Sequence, residues 1–173
     1  LLPELGYQEH RLQWQQSGAE VTNYPSIAHE ASVSFINKSL QQNNRQHLVI
    51  INPNNPSGLK FSPAQLNIWA KNLGEGAYLI IDEAFMDTQP DLSVLVQHFE
   101  SNMIVLRSFG KFFGLAGLRL GFVFANEKLI QTFQKRLGLW AINGPAQSIA
   151  TVAFQNKAWQ QQARANICKA AKL

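Results

Sequence analysis

Three short apolar runs stand out along the chain: Leu48-Val49-Ile50-Ile51, Tyr78-Leu79-Ile80-Ile81 and Met103-Ile104-Val105-Leu106. Unbroken apolar stretches of this length suit strands buried on both faces, as in a parallel sheet. The segments between them have helical character. A helix is predicted over 7–16, a strand over 20–23 and a helix over 28–41. Ser62 and Pro63 are a good N-cap and first helical position for a helix reaching Asn72. Gly74 and Gly76 then interrupt the chain before the strand that ends at Asp82. A short helix is predicted over 92–99. Residues 121–124 read as one more strand, antiparallel because the connection leading to it is too short for a parallel crossover. Asn126 caps a helix through about 137, residues 138–145 form a hinge, and the chain is helical from Ala146 with a bend near Asn156. The pattern predicts an α/β fold with a mostly parallel sheet, flanking helices and no internal repeat.

In such sheets ligands bind beyond the carboxyl ends of the strands, where polar groups gather. Each apolar run ends in polar or chemically capable residues. The first leads into Asn52-Pro53-Asn54-Asn55-Pro56-Ser57-Gly58, the second into Asp82-Glu83-Ala84-Phe85, and the third into Arg107-Ser108-Phe109-Gly110-Lys111. Lys111 sits among phenylalanines, leucines and glycines, with Ser108 before it and Arg119 after it. Partial desolvation disfavours an ammonium, which suits an amine that attacks a carbonyl. A loop lysine with a packed stem and a solvated head is the plain alternative. By itself the asparagine-proline stretch reads more readily as a turn, because every residue in it favours one.

The ordered set of Asn55-Pro56-Ser57-Gly58, Asp82-Glu83-Ala84-Phe85, and Ser108-Phe109-Gly110-Lys111 followed by Gly114-Leu115-Ala116-Gly117-Leu118-Arg119 resembles the fold-type I, pyridoxal-phosphate-dependent aminotransferase family. The likeness runs through essentially the whole chain. It is greatest to the branch containing histidinol-phosphate aminotransferase and threonine-phosphate decarboxylase. Phe85 stands where aminotransferases usually carry a tyrosine that hydrogen-bonds the cofactor's phenolic oxygen, and Leu139-Trp140-Ala141-Ile142-Asn143 resembles the decarboxylase's tryptophan-to-asparagine segment. Both features lean toward the decarboxylase.

The resemblance implies pyridoxal 5'-phosphate as cofactor, with Lys111 forming the Schiff base and Asp82 pairing with the pyridinium nitrogen. Asn55 would donate to the phenolate oxygen, Ser108 and Arg119 would hold the phosphate, Tyr7 would stack on the ring, and Phe85 would line the site. Arginine suits phosphate through its planar donor fork. Asn55 and Asn143 are the expected substrate contacts. The implied reaction is decarboxylation of L-threonine O-3-phosphate to an aminopropanol phosphate in cobalamin biosynthesis, with histidinol-phosphate aminotransfer as the alternative. The expected partners are a small phosphorylated amino acid and a second copy of the full-length enzyme. By the same likeness, residues 1–138 would be the central part of the large cofactor-binding domain, and 139–173 a hinge and the helix leading to a small domain. The chain then reads as part of a longer enzyme, inactive by itself. Two positions depart from the family: Gly110 replaces a serine or threonine before the lysine, and Leu5 replaces a proline before Tyr7.

Composition narrows the remaining classes. Hydrophobic residues at 46% and charged residues at 15% allow a real core in 173 residues. The net charge of +4 carries no dense basic block, so small anions fit better than nucleic acid. Cys168 is the only cysteine, which rules out an intrachain disulfide and suits a reducing, cytoplasmic setting. His10, His29, His47 and His98 are scattered without a metal-ligand pattern and read as surface or capping groups. No apolar run approaches the roughly 20 residues that cross a bilayer. A non-catalytic, cofactor-binding regulator domain would need a DNA-binding module, and none is visible. Reading 80–83 as the magnesium strand of an ATPase fails for want of a phosphate loop.

Overall fold

In the computed structural model, residues 1–97 and 99–171 are described. The three apolar runs form β3 (Leu48–Ile51), β4 (Leu79–Asp82) and β5 (Met103–Ser108), which pair in parallel in that order. β6 (Gly121–Phe124) joins the β5 edge antiparallel, with Ser108 opposite Gly121. Ile51, Asp82 and Leu106 lie in one row across the sheet, so the polar clusters that follow the strands emerge at one end. Near the start of the chain, β1 (Leu2–Pro3) and β2 (Asn23–Tyr24) make a small parallel pair, and β1 contacts β3 through Val49 N–H donating to Leu1 O at 2.9 Å.

Alternation along each strand divides the side chains between two faces. Leu48, Ile50, Leu79, Ile81, Met103 and Val105 point to one core, closed by Ile36 and Leu40 of α2 (His29–Gln42) and by Leu66, Trp69 and Ala70 of α3 (Pro63–Asn72). Val49, Ile80, Ile104 and Leu106 face the other side, which Leu2, Val21 and Trp14 of α1 (Gln8–Gln16) cover. α3 starts where expected: Ser62 accepts from Gln65 N–H at 3.2 Å and Pro63 follows. After β6 come α4 (Glu127–Leu137), α5 (Gly144–Gln155) and α6 (Lys157–Ala170). Asn156 breaks α5 from α6 and caps the latter by accepting from Trp159 N–H. Phe109, Leu120 and Ala150 make a third, smaller cluster that fastens α5 to the lysine loop.

Two predicted elements differ. The strand expected over 20–23 is displaced to Asn23–Tyr24, because pairing to β1 and burial of Tyr24 decide the register. The helix expected over 92–99 is replaced by short 3₁₀ turns at Met86–Thr88, Pro90–Leu92 and Val94–Val96. Glu83 is the physical reason. Its buried carboxylate accepts from Ser93 Oγ at 2.5 Å and Val94 N–H at 2.9 Å, which draws this backbone toward the sheet end. His98 lies outside the described residues.

Candidate functional site

A cavity of about 730 Å³ opens at the carboxyl end of the sheet, within the usual range of small-molecule sites. Seven of the eight residues singled out in the sequence line it: Tyr7, Asn55, Asp82, Phe85, Ser108, Lys111 and Arg119. They come from segments far apart in the chain, and the shared row of strand ends brings them together.

Asp82 closes β4 and is buried. One carboxylate oxygen accepts from Ala84 N–H at 2.9 Å, and the other lies 2.8 Å from His10 Nε2. Sequence reasoning missed His10 and took it for a surface or capping group, whereas it buttresses Asp82. Its place three residues after Tyr7 sets those two side chains near each other, but nothing local points to Asp82, 72 positions away. Their rings meet edge-on at 5.9 Å. Tyr7 is presented by a tightly held segment. Leu5 N–H donates to Ser26 Oγ, Leu5 O accepts from Asn54 Nδ2 at 2.9 Å, and a Cβ on Gly6 would stand 2.7 Å from Ile51 Cδ1.

The three asparagines of the first loop separate into different jobs. Asn52 is buried and exchanges two hydrogen bonds with the Phe61 backbone. Asn54 is buried, donating to Leu5 O and Ser57 Oγ. Asn55 is exposed to the cavity and has its side chain available there.

Lys111 follows β5 in a loop whose shape depends on Gly110, where a Cβ would lie 2.8 Å from Ala116 Cα. That close approach explains why glycine stands at this departure from the family pattern. The Lys111 amine stands over the Phe85 ring, 5.4 Å from its centroid. Lys111 is exposed, so the partial burial expected of it is not supplied by this chain alone. Ser108 Oγ accepts from Gly110 N–H at 3.3 Å, and Arg119, in a left-handed backbone conformation at φ 51°, donates to Ala116 O at 3.4 Å. Arg107 also reaches the cavity wall, but its guanidinium is taken up by Glu83 at 3.0 Å and Asp87 at 2.5 Å.

Asn143 is not part of the cavity lining. It is the N-cap of α5, its side chain accepting from Ala146 N–H at 2.8 Å. His47 is likewise no plain surface group. It stacks between Trp14 and Tyr78, and its Nδ1 accepts from Tyr78 N–H. Burial is the largest cause that lowers its pKa. Among the described residues no cluster of three or more His, Cys, Asp or Glu could hold a metal, and no helix is long and apolar enough to cross a membrane.

The donor set has one anionic pole and one cationic pole. A carboxylate at the base suits a protonated ring nitrogen, an exposed amine suits a carbonyl carbon, and a hydroxyl with a guanidinium suits a phosphate. Fold and cavity together define an α/β domain built for a cofactor at its strand ends. The chain belongs to the class I and II aminotransferase family, whose model matches residues 1–172. It is 42% identical over 157 residues to the threonine-phosphate decarboxylase of Pseudomonas aeruginosa, a match covering 90% of this chain and 44% of that protein. It is 33% identical over 147 residues to the histidinol-phosphate aminotransferase of Buchnera aphidicola, covering 83% and 39% respectively. The crystal structure of histidinol-phosphate aminotransferase from Sinorhizobium meliloti, in complex with pyridoxal-5'-phosphate, shares the fold at a TM-score of 0.81 and 21% identity, over 98% of this chain and 47% of that one. The chain thus spans less than half the length of these proteins.

Proposed function

We propose that the protein carrying this chain is a pyridoxal-phosphate-dependent decarboxylase of L-threonine O-3-phosphate, forming an aminopropanol phosphate for cobalamin biosynthesis. The observation that carries the cofactor assignment is the convergence of Asp82, Lys111, Asn55, Ser108 and Arg119 on one strand-end cavity. When bound, the cofactor supplies a ring that takes up the electron pair left on the substrate α-carbon. Lys111 would hold its aldehyde carbon, Asp82 the protonated ring nitrogen, and Ser108 with Arg119 its phosphate. Asn55 would donate to the phenolic oxygen, and Tyr7 would cover the ring. His10, 2.8 Å from one carboxylate oxygen, keeps Asp82 oriented.

Decarboxylation is favoured over transamination by two features: the greater identity to the decarboxylase, and Phe85, which offers no hydroxyl beside Lys111. The bond that breaks is set by how the substrate is held relative to the ring. The second reading, a histidinol-phosphate or related aminotransferase, uses the same residues, with Lys111 as the base that takes the α-proton. In either reading the enzyme is a cytoplasmic homodimer acting on a small phosphorylated substrate.

The deciding test is carbon dioxide release from L-threonine O-3-phosphate by the complete protein supplied with pyridoxal phosphate. Release that depends on Lys111 is expected. Cofactor binding without release, together with amino transfer from histidinol phosphate, would replace the decarboxylase with the aminotransferase. The 173-residue chain alone is expected to bind the cofactor weakly, since Lys111 is exposed in it. A tight, stoichiometric complex seen by absorbance would contradict that.

A further inference from the structure

Arg164 on α6 touches two separate loops. Its Nε donates to the backbone carbonyl of Asp87 at 2.8 Å, and its guanidinium lies over the Phe112 ring, 5.1 Å from the centroid. Asp87 comes two residues after Phe85, and Phe112 directly follows Lys111. On the cavity side the same two loops meet again, where the Lys111 amine stands over Phe85. The contacts close a circuit: Lys111 on Phe85 in front, and Arg164 bridging Asp87 and Phe112 behind.

Each end of the rear bridge is anchored. The Asp87 carboxylate accepts from Arg107, which Glu83 holds in turn. Phe112 is met edge-on by Trp159, five residues before Arg164 on α6, at 5.5 Å. A directional Nε–H and a planar face, both from one guanidinium, set the spacing of two loops in a way a lysine ammonium does not.

We propose that Arg164 is a positioning residue, setting where the Lys111 amine stands over the cavity by clamping from behind the two loops that carry Phe85 and Lys111. The inference rests on the reading of Lys111 as the amine that bonds the cofactor. It makes α6 part of the active-site scaffold, although none of its residues line the cavity.

The test uses the complete protein with Arg164→Met, which keeps the apolar stem, Arg164→Lys, which keeps the charge, and Phe112→Leu, which removes the ring. Arg164→Met should leave the melting temperature near that of the parent and shift the absorbance band of the cofactor joined to Lys111. It should also lower kcat by on the order of tenfold with KM little changed, given that a displacement of about 1 Å costs roughly 10²-fold. Without cofactor, the acetylation rate of Lys111 by mass spectrometry should change severalfold while that of the exposed Lys128 stays constant. Arg164→Lys should recover part of each effect. Phe112→Leu should move band and rate in the same direction, which keeps the test sound if Arg164→Met folds poorly. Unchanged band, kcat and labelling in both Arg164→Met and Phe112→Leu would overturn the proposal, as would losses that only follow a fall in melting temperature. A Lys111→Ala protein that kept the band would instead sink the cofactor assignment itself, so the two failures are distinguishable.

Discussion

The face of the sheet under α2 and α3 and the carboxyl end of the same strands follow opposite rules. Under the helices, Ile50, Leu66, Trp69 and Ile81 are fully excluded from water and contribute through packing. At the strand ends, Lys111, Asn55 and Arg119 are exposed, and their arrangement is held by buried neighbours such as Asn52, Asn54 and Glu83. Adjacent carboxylates mark the border: Glu83 is wholly buried and committed to Ser93, Val94 and Arg107, while Asp82 meets His10 and faces the cavity. Packing and the candidate chemistry thus fall to different side chains of the same strands and the loops that follow them.

Substitutions should separate the two. The largest effect is expected from Lys111→Ala, which should abolish both the cofactor band and turnover in the complete protein while leaving the melting temperature nearly unchanged. Retained turnover would break the division. Next, Trp69→Ala on the closed face should destabilise by about 3–5 kcal/mol in urea unfolding, as large aromatic truncations do. It leaves a cavity and strands Asn37 Oδ1, which accepts from Trp69 Nε1 at 2.8 Å. Full activity of the fraction that stays folded is expected, and an equally stable but inactive variant would contradict the separation.

Gly110→Ala sits on the border. The added methyl would meet Ala116 Cα, so a loss of about 1–3 kcal/mol is expected together with a displaced lysine loop. Unfolding curves and cofactor absorbance should both move. A shift in only one of them would place Gly110 wholly in one region. The smallest effect concerns His47, whose pKa in the folded chain is lowered chiefly by burial. The unfolded chain therefore binds more protons as pH falls through the ordinary histidine range near 6.5, and stability should decline there and recover above it. Protonating Nδ1 would also end its acceptance from Tyr78 N–H. Melting temperature against pH should show the slope, and His47→Gln should flatten it.

Most of the sheet was legible because its signals are local. Three apolar runs, the Ser62-Pro63 start, the Asn126 cap and the break at Asn156 each operate within a few residues, and the elements form at those places. The site was legible as a set of chemically capable residues at strand ends, seven of which the fold gathers. The misses depended on distance. His10 finds Asp82 across 72 positions, and the turns between Met86 and Val96 form around a carboxylate at the sheet end. Asn143, expected at the substrate, lies outside the cavity lining and caps α5, its side chain satisfying a free N–H group of the first turn.

Sequence alone therefore determined the α/β pattern, the places of most strands and helices and a set of candidate groups at the strand ends, since periodicity and turn residues act over short spans. Only the tertiary structure decided which groups meet, which carboxylate is wholly enclosed and which faces the cavity, and how α6 reaches the lysine loop. Those outcomes depend on contacts between residues far apart in the chain, and no local pattern encodes them.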